Sequence, residues 1–232
     1  MKVLIISDIH GNIWALEKIL KTEEYDILIC LGDLVDYGPY PDEVVQMIKD
    51  KANYTVMGNH DYSLAFETDC PGTTEEYKKL TLELRKYFNY NLSKESVSYL
   101  KSLPFQISVE IQGKKLHLVH SSVKDPLGDY VSFKQDIELI KDKMLPEDKG
   151  TNFVLYGHTH LAGVMNINGI GIVNPGSVGF PRDIPYLPTY AVFENGTVSF
   201  KKIDYDVQKL ISEFKRARVP EKYQRHLLGE MS

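Results

Sequence analysis

The sequence predicts an α/β protein built around one main core, with a parallel or mixed sheet. In the first 60 residues, apolar strand-like runs alternate with amphipathic helical segments, and hairpin signals dominate the second half. A chain of 232 residues, 43% of them hydrophobic, is long enough for one good core without requiring a second. We therefore expect a single domain over residues 1–232, with a small cap-like helical insertion at 61–104.

The first half of the chain has the order β-α-β-α-β, which favours neighbouring strands with helices on the faces of the sheet. The three strand candidates are apolar runs suited to burial on both faces. Asn12 is placed to cap the first helix, and Pro41 begins the second. In chain order, the predicted elements cover residues 3–7, 11–23, 25–33, 41–49 and 53–58.

Residues 61–104 carry many Tyr, Lys, Glu and Ser residues and almost no strand pattern. The segments "TTEEYKKLTLELRKYFNYNL" and "SKESVSYLKSLP" predict two or three helices, the last of which ends at Pro104. This insertion follows "GNHD" directly, so besides packing against the core it would be placed to wall a substrate pocket. Packing is the main role expected of its tyrosines: Tyr77, Tyr87, Tyr90 and Tyr99.

Three hairpins are predicted in the second half, each at a pair of residues suited to positive φ. Residues 133–144 and 205–217 are predicted helices, residues 153–156 a further buried strand, and residues 219–232 a loosely held tail. The hairpin turns fall at Gln112-Gly113, Asn168-Gly169 and Asn195-Gly196.

The composition is that of an ordinary soluble protein and argues against several classes. With 27 basic against 32 acidic residues, the net charge is −5, which disfavours stable binding of nucleic acid. The apolar run at the N-terminus is short and soon followed by Asp8, unlike a signal peptide or membrane span. Cys30 and Cys70 suggest neither a disulfide framework nor a thiolate metal site. We expect a cytoplasmic protein that acts away from membranes.

Polar side chains follow five of the predicted strands, at the point where each strand ends. In open α/β sheets, sites form at the carboxyl ends of the strands, where these side chains would meet. Packing gives no reason to gather so many desolvated polar groups in one crevice, because each would need a partner. The residues are Asp8 and His10, Asp33 and Asp36, Asn59, His60 and Asp61, His120, and His158 and His160.

These donors predict a metal centre. Nitrogen and oxygen ligands without thiolates suit Mn²⁺, Fe, Zn²⁺, Ni²⁺ or Co²⁺ better than Ca²⁺. His158 and His160 are spaced i, i+2, which would place both rings on one side of an extended chain. The ligands are too many for one ion but suffice for two bridged ions, which activate water and clamp a phosphoryl group. They are Asp8, His10, Asp33, Asn59, His120, His158 and His160.

Five short motifs, in order along the chain, resemble those of the calcineurin-like metallophosphoesterase superfamily. They are "DIHGN", "GDLVDYG", "GNHD", "VHSS" and "GHTH". Two further segments, "YGPYPDEV" and "NPGSVGFPRD", are similar to its small prokaryotic phosphodiesterase branch, which includes diadenosine polyphosphate hydrolase-like members. The resemblance implies a four-layer α/β/β/α sandwich around a di-metal site, with the helical insertion beside it.

The resemblance also implies roles for individual residues. His60 would protonate or stabilise the leaving oxygen, with Asp36 orienting its imidazole, while a metal-activated hydroxide attacks phosphorus. The two divalent ions would be Mn²⁺ first of all, with Fe, Zn, Ni, Co or Mg as alternatives. One ion would be held by Asp8, His10 and His160, the other by Asn59, His120 and His158, and Asp33 would bridge them.

One departure from the superfamily pattern bears on the substrate. The protein Ser/Thr phosphatases of the superfamily read "GDxVDRG" and "GNHE", whereas this chain has Tyr37 for the arginine and Asp61 for the glutamate. Tyr37 cannot clamp a phosphate as arginine does, but it could stack on a base, with packing against Pro39 as the alternative. Arg182 is the nearest replacement cation unless it is simply solvated. It follows the Gly-rich loop "NPGSVG", whose N–H groups could face a phosphate.

Together these features predict a di-metal phosphodiesterase that hydrolyses a small nucleotide-type diester or phosphoanhydride. The alternatives are a phosphomonoesterase of broad specificity, a nuclease with the same site, and a catalytically silent scaffold of the same fold. A scaffold would be expected to have lost a ligand or His60, and all of them are present. The hairpin-rich second half would offer a sheet edge or face for a homo-oligomer. His117 is expected to pack away from the site, and His226 to be exposed.

Overall fold

The computed structural model describes residues 1–228, so the last four residues of the predicted domain 1–232 lie outside the described residues. Within that range the chain forms two five-stranded sheets and eight helices. None of these helices is long and apolar enough to cross a bilayer. The strands are β1 (Lys2–Ile6), β2 (Ile27–Cys30), β3 (Tyr54–Thr55), β4 (Gln106–Ile111), β5 (Lys114–Val119), β6 (Phe153–Leu155), β7 (Gly163–Ile167), β8 (Ile170–Asn174), β9 (Thr189–Glu194) and β10 (Thr197–Lys202). The helices are α1 (Ile13–Thr22), α2 (Pro41–Lys51), α3 (Asn59–Phe66), α4 (Glu75–Tyr87), α5 (Lys94–Ser102), α6 (Ile137–Met144), α7 (Val207–Arg216) and α8 (Glu221–Leu228).

The first half of the chain builds the predicted neighbouring strands. β1 pairs with β2, and β2 with β3, in parallel, and β9 and β10 complete the sheet in the order β10-β9-β1-β2-β3. The second sheet has the order β4-β5-β6-β8-β7, in which β5, β6 and β8 run parallel. Because parallel strands end at the same edge of a sheet, the polar loops that follow them are brought together.

The two sheets pack face to face and helices cover their outer faces, which confirms the four-layer α/β/β/α prediction. Successive residues of β1 divide between the layers, as the pleat of a strand requires. Val3 and Ile5 lie in the apolar cluster between the sheets, while Leu4 and Ile6 pack with α1 and α2. On the opposite side, α6 packs on the second sheet through Ile140.

The three predicted hairpin turns are present. They join the antiparallel pairs β4–β5, β7–β8 and β9–β10. Both residues of every turn have φ between 50° and 86°, the region that two-residue turns of this kind require. The turn residues are Gln112 and Gly113, Asn168 and Gly169, and Asn195 and Gly196.

The predicted helical insertion contains α4 and α5 and most of α3. α3 begins inside the "GNHD" motif at Asn59, two residues before the predicted boundary at 61. The side chains of Thr74 and Ser93 cap α4 and α5 by accepting backbone N–H groups of the first turn. Each helix therefore has a defined start, and the Gly72–Thr74 turn brings the N-terminus of α4 to the edge where the strands end.

The prediction of a loosely held tail is wrong for the residues up to 228. Leu228 of α8 is buried in an apolar cluster with Leu80 and Leu84 of α4 and Phe214 of α7. Tyr223 and Leu227 are spaced i, i+4, which places them on one face of α8, and both pack against this cluster. The C-terminal helix thus rests on the insertion.

Candidate metal centre

The strand-end side chains gather into two groups at the shared edge of the sheets. Among the residues that the structure describes, two clusters of carboxylates and imidazoles are close enough to hold metal ions, and every member is buried. Asn59 adjoins the second cluster, because its Oδ1 atom lies 2.9 Å from His120 Nε2 and 3.0 Å from His158 Nδ1. The structure therefore brings all seven predicted ligands together. The clusters are Asp8, His10 and His160, and Asp33, His120 and His158.

The imidazoles of the first cluster present lone pairs to each other. Nδ1 of His10 lies 2.8 Å from Val35 O, and Nδ1 of His160 lies 2.7 Å from Phe180 O, so both Nδ1 atoms donate. In neutral rings the two Nε2 atoms are then acceptors, yet they face each other across 3.1 Å. Burial lowers the pKa of His10 to about 3, which keeps that ring neutral. Only a cation between the two nitrogens, a proton or a metal ion, makes this contact favourable.

The second cluster shows the same arrangement. Nδ1 of His120 donates to Leu31 O at 2.7 Å, so Nε2 of the neutral ring is an acceptor. It faces Asn59 Oδ1, also an acceptor, because the Asn59 amide nitrogen donates to Pro71 O at 3.0 Å. Burial disfavours the protonated ring of His120, but the Asp33 carboxylate raises its pKa to about 9. Without a metal ion, a proton on Nε2 can therefore make this contact favourable. The donors of both clusters fit a divalent ion that prefers nitrogen and oxygen.

Asp33, a member of the second cluster, also faces the first. Its Oδ2 atom is 3.6 Å from His10 Nε2 and 3.3 Å from His120 Nε2. Its other oxygen, Oδ1, accepts the backbone N–H of His60 at 2.9 Å. This bond fixes the carboxylate and leaves Oδ2 facing both clusters, the position expected of a bridging ligand.

The loops that carry these side chains adopt a backbone conformation that L-residues avoid. Left-handed backbone costs roughly 1–2 kcal/mol per residue, and it persists mainly at functional sites where the surroundings compensate. Asp61 supplies part of that compensation, because its buried carboxylate accepts the backbone N–H groups of Asp33 and Leu34, each at 2.8 Å. Seven site residues have φ between 48° and 72°: Asp8, His10, Asp33, Asp36, Tyr37, His158 and His160.

His158 and His160 do not lie on one side of an extended chain, as their i, i+2 spacing had predicted. β6 ends at Leu155, and the two histidines have φ of 65° and 60°, so the chain is not extended there. Their rings consequently enter different clusters rather than one side of a strand. Gly157 permits this sharp turn, because a Cβ atom at that position would lie 1.9 Å from Ser7 Oγ.

His60 lies beside the clusters and is held through both ring nitrogens. Nδ1 donates to Asp36 Oδ2 at 2.8 Å, and Nε2 lies 3.2 Å from the hydroxyl oxygen of Tyr37. Burial disfavours the protonated ring, but the acidic groups around it, Tyr37 first among them, raise the pKa of His60. Tyr37 is only 3% exposed. The hydroxyl of Tyr37 therefore contacts the imidazole of His60. This contact differs from both predicted roles of Tyr37, which were stacking on a base and packing against Pro39.

A residue of the insertion completes this arrangement. Arg85 of α4 donates Nε to Asp36 Oδ1 and Nη2 to Asp36 Oδ2, both at 2.7 Å. Burial opposes ionisation of Asp36, but the hydrogen bonds from Arg85 and then from His60 lower its pKa. Sequence reasoning missed Arg85, because no motif distinguishes one arginine on a charged helix.

The insertion also orients Asn59. The amide nitrogen of Asn59 lies 3.0 Å from Cys70 Sγ, 3.0 Å from Pro71 O and 3.2 Å from Thr73 Oγ1. Since these atoms accept from the NH₂ group, the amide oxygen is turned towards the histidines. Sequence reasoning gave none of these three residues a role in the site.

The Gly-rich loop after β8 does not present free N–H groups to a phosphate. The backbone N–H groups of residues 176–180 all donate to oxygens within the protein, so that expectation is wrong. Arg182 is the part of this segment that borders the site. Its guanidinium lies 5.3 Å from the centroid of the Tyr77 ring, and Nη1 donates to the Tyr130 hydroxyl at 3.4 Å.

The two remaining histidines behave differently from each other. His117 lies away from the site, as predicted, and hydrogen bonds to Ser108 and Gln106 on the neighbouring strand. His226 is half-buried rather than exposed, and its ring packs 4.8 Å from that of Tyr77. The C-terminal helix therefore reaches the surroundings of the site.

A cleft opens over the two clusters. One wall comes from the strand-end loops and the other from the insertion and Arg182, so a bound phosphoryl group would meet both. The lining includes Asp33, His60, His158, Thr73, Tyr77 and Tyr130.

This α/β sandwich, with paired ligand groups at the ends of its parallel strands, defines a metal-dependent phosphoesterase. The chain belongs to the calcineurin-like phosphoesterase superfamily, whose domain model matches residues 1–197. The family is one of di-metal enzymes, and the two ligand clusters agree with that property.

Relatives are similar to the chain over most of its length. The crystal structure of a metallophosphoesterase from Sphaerobacter thermophilus is 28% identical, with a TM-score of 0.79 and 98% of each chain covered. The protein MJ0912 of Methanocaldococcus jannaschii is 28% identical in an alignment of 240 positions that covers 94% of each chain. The asymmetrical bis(5′-nucleosyl)-tetraphosphatase PrpE of Oceanobacillus iheyensis is 26% identical over 197 residues, covering 68% of this chain and 77% of that protein.

Proposed function

We propose that the protein is a di-metal phosphodiesterase that hydrolyses a small nucleotide-type diester or phosphoanhydride. The observation that carries the proposal is the position of Asp33 Oδ2, which lies within 3.6 Å of one histidine from each cluster. Similarity to a bis(5′-nucleosyl)-tetraphosphatase supports a nucleotide-type substrate. That this protein acts in the cytoplasm and assembles into a homo-oligomer are predictions from the sequence.

The seven predicted ligands would hold two divalent ions, and we propose Mn²⁺. The carboxylate and amide oxygens suit this ion, whereas the imidazoles also suit Fe, Zn²⁺ or Ni²⁺. When bound, the ions would supply an activated water molecule and neutralise charge on the phosphoryl group.

His60 would donate a proton or a hydrogen bond to the leaving oxygen. It borders the cleft, and its Nδ1–H is fixed by the buried carboxylate of Asp36. Arg85 holds that carboxylate in turn with two hydrogen bonds, so the imidazole has one favoured orientation. The groups that flank His60 favour its protonated form, which is the form a general acid needs.

The charges around the cleft favour a diester over a monoester. Tyr37 stands where the superfamily's protein phosphatases carry an arginine clamp, and it is turned to His60. Arg182 is the cation at the edge of the cleft. A diester phosphate carries one negative charge where a monoester carries two, so it requires less neutralisation by such cations.

The test is hydrolysis of bis-p-nitrophenyl phosphate beside p-nitrophenyl phosphate. Metal-stripped protein would be reloaded with Mn²⁺, and Asp33→Asn would serve as the inactive control. We expect diester cleavage that depends on the metal, exceeds monoester cleavage and disappears in the variant.

Two results would contradict the proposal in different ways. Faster cleavage of the monoester would favour the broad phosphomonoesterase. Absence of turnover with any divalent ion, although two ions are bound, would favour a silent scaffold.

A further inference from the structure

A second chamber adjoins the cleft on the side of the C-terminal helix. Its wall shares Tyr37, Tyr77, His160 and Arg182 with the wall of the cleft. The two spaces are therefore neighbours across these side chains. The rest of the chamber wall is Phe180, Pro181, Pro185, His226 and Leu227.

Tyr37 stands between His60 and this chamber. The centroid of its ring lies 4.8 Å from that of His60 and 5.9 Å from that of Phe180 in the chamber wall. Its hydroxyl contacts His60 Nε2 at 3.2 Å. Since His60 is the proposed donor to the leaving oxygen, the part of the substrate that leaves would be directed towards the chamber.

The chamber wall has flat faces and one cation. Tyr77 lies under the guanidinium of Arg182 at 5.3 Å and against the ring of His226 at 4.8 Å. Aromatic and guanidinium faces of this kind stack on nucleobases. Arg182 borders both spaces, where a phosphate joined to the same nucleoside would lie.

We infer that the chamber binds the leaving nucleoside of a nucleotide-type diester or phosphoanhydride, with Arg182 at a phosphate next to it. This inference rests on the proposed function. It adds the location of the leaving group and the residues that select it.

The experiment compares two substrates with full-length, Mn²⁺-loaded protein. Diadenosine tetraphosphate is long enough to occupy cleft and chamber, whereas bis-p-nitrophenyl phosphate needs the cleft. Pro185→Trp would obstruct the chamber from an exposed wall position, and His226→Leu would remove a ring of the chamber wall that does not border the cleft. Both variants should lower kcat/KM for the dinucleotide by about tenfold, and that for the small diester by less than about twofold. Ile184→Trp, an exposed neighbour outside the chamber wall, is the matched control.

The outcomes separate this inference from the proposed function. Equal losses on both substrates would overturn the subsite, because the wall would then be only structural. No loss on either substrate in both variants would overturn it as well. Cleavage of the small diester but not of the dinucleotide by the wild type would overturn the subsite and leave the proposed function intact. If the wild type cleaves neither substrate, the proposed function is contradicted, and so is the subsite that rests on it.

Discussion

The strand-end loops and the helical insertion contribute to the candidate site in different ways. The loops after the strands, together with Asn59 at the start of α3, supply every proposed metal ligand. The insertion, residues 61–104, supplies no member of the two clusters among the described residues. It instead contributes Arg85 and Thr73, which hold Asp36 and Asn59 in place.

The difference is one between binding and orientation. In the clusters, acceptors face each other, as with the two Nε2 atoms of His10 and His160 at 3.1 Å, and they need a cation. In the insertion, donors face acceptors, as with Arg85 and Asp36 at 2.7 Å, and nothing is left unpaired in that contact. Changes in the loops should therefore remove metal, whereas changes in the insertion should alter turnover, or weaken metal binding modestly, without removing a ligand.

Asp33→Asn tests the first half of this comparison and should have the largest effect. An amide nitrogen near Oδ2 would present a donor where both clusters need an acceptor, so both ions should be lost together. Turnover should fall by more than the roughly 10–100-fold typical of residues that only support a ligand. Metal content after dialysis and the Mn²⁺-dependent rate would be measured, with the exposed Asp50→Asn as control. Loss of one ion alone would show that Asp33 does not bridge.

The same comparison shows what could be predicted from the sequence. The ligands from Asp8 to His160 each follow an apolar run, and the parallel order of the strands brings the run ends together. Arg85 lies 49 residues beyond Asp36, and no local pattern indicates that α4 passes over the loop after β2. The contacts of Asn59 with Cys70 and its neighbours have the same character, because they arise from a turn that carries no motif.

The backbone of the site could not be predicted for a related reason. Positive φ is expected at glycine, yet Asp8, His10 and His160 adopt it. Tertiary hydrogen bonds, such as those that Asp61 accepts, impose this conformation. They depend on the completed fold, and the order of residues in one segment does not reveal them.

Arg85→Met tests the second half of the comparison. The imidazole of His60 would lose its fixed support, and hydrolysis of diphenyl phosphate, whose phenolate leaves poorly, should fall by about 10–100-fold. This is less than the roughly 10²–10⁴-fold expected for His60→Ala. Bis-p-nitrophenyl phosphate should be affected much less, because nitrophenolate needs little protonation.

Metal content should be unchanged in Arg85→Met, and Lys86→Met, an exposed neighbour on the same helix, is the matched control. Removing one partner of a buried ion pair costs about 3–5 kcal/mol, so rates would be compared well below the Tm of the variant. Loss of bound metal in Arg85→Met would show that the insertion is needed for metal binding, and would contradict the division of roles between the loops and the insertion.

Thr73→Val should have a smaller effect on the same region. It removes one of three acceptors near the Asn59 amide nitrogen, while Pro71 O still accepts from it at 3.0 Å. Of the two proposed Mn²⁺ ions, the one bound less tightly should lose about two- to tenfold in affinity. This is at or below the lower end of the effects measured for residues that orient a metal ligand. Competition with a chelating dye would measure it, with Thr197→Val on the distant β10 as control. An unchanged affinity would show that the orientation of Asn59 does not depend on this hydroxyl.

The smallest effect on activity is expected at a half-buried charge far from the metals. Glu23, which follows α1, accepts hydrogen bonds from Lys201 and Tyr190, each at 2.7 Å, and from Lys2 at 2.9 Å. Burial opposes its ionisation, but these hydrogen bonds lower the pKa of Glu23 from 4.5 to about 2. Because the folded pKa lies below the unfolded one, the ionised carboxylate stabilises the fold above about pH 4.5, and that stability is lost as pH falls through about 2.

Glu23→Gln should therefore lower the free energy of unfolding by about 1–3 kcal/mol at neutral pH, and by progressively less between about pH 5 and pH 2. Urea unfolding of metal-free protein would measure the difference, with the exposed Glu24→Gln as control. Turnover per folded, metal-loaded molecule should not change, since Glu23 contacts neither the clusters nor the insertion residues that orient them. A difference in stability that stays constant with pH would assign the role of Glu23 to packing, because a charge interaction disappears when the carboxylate of the folded protein is protonated.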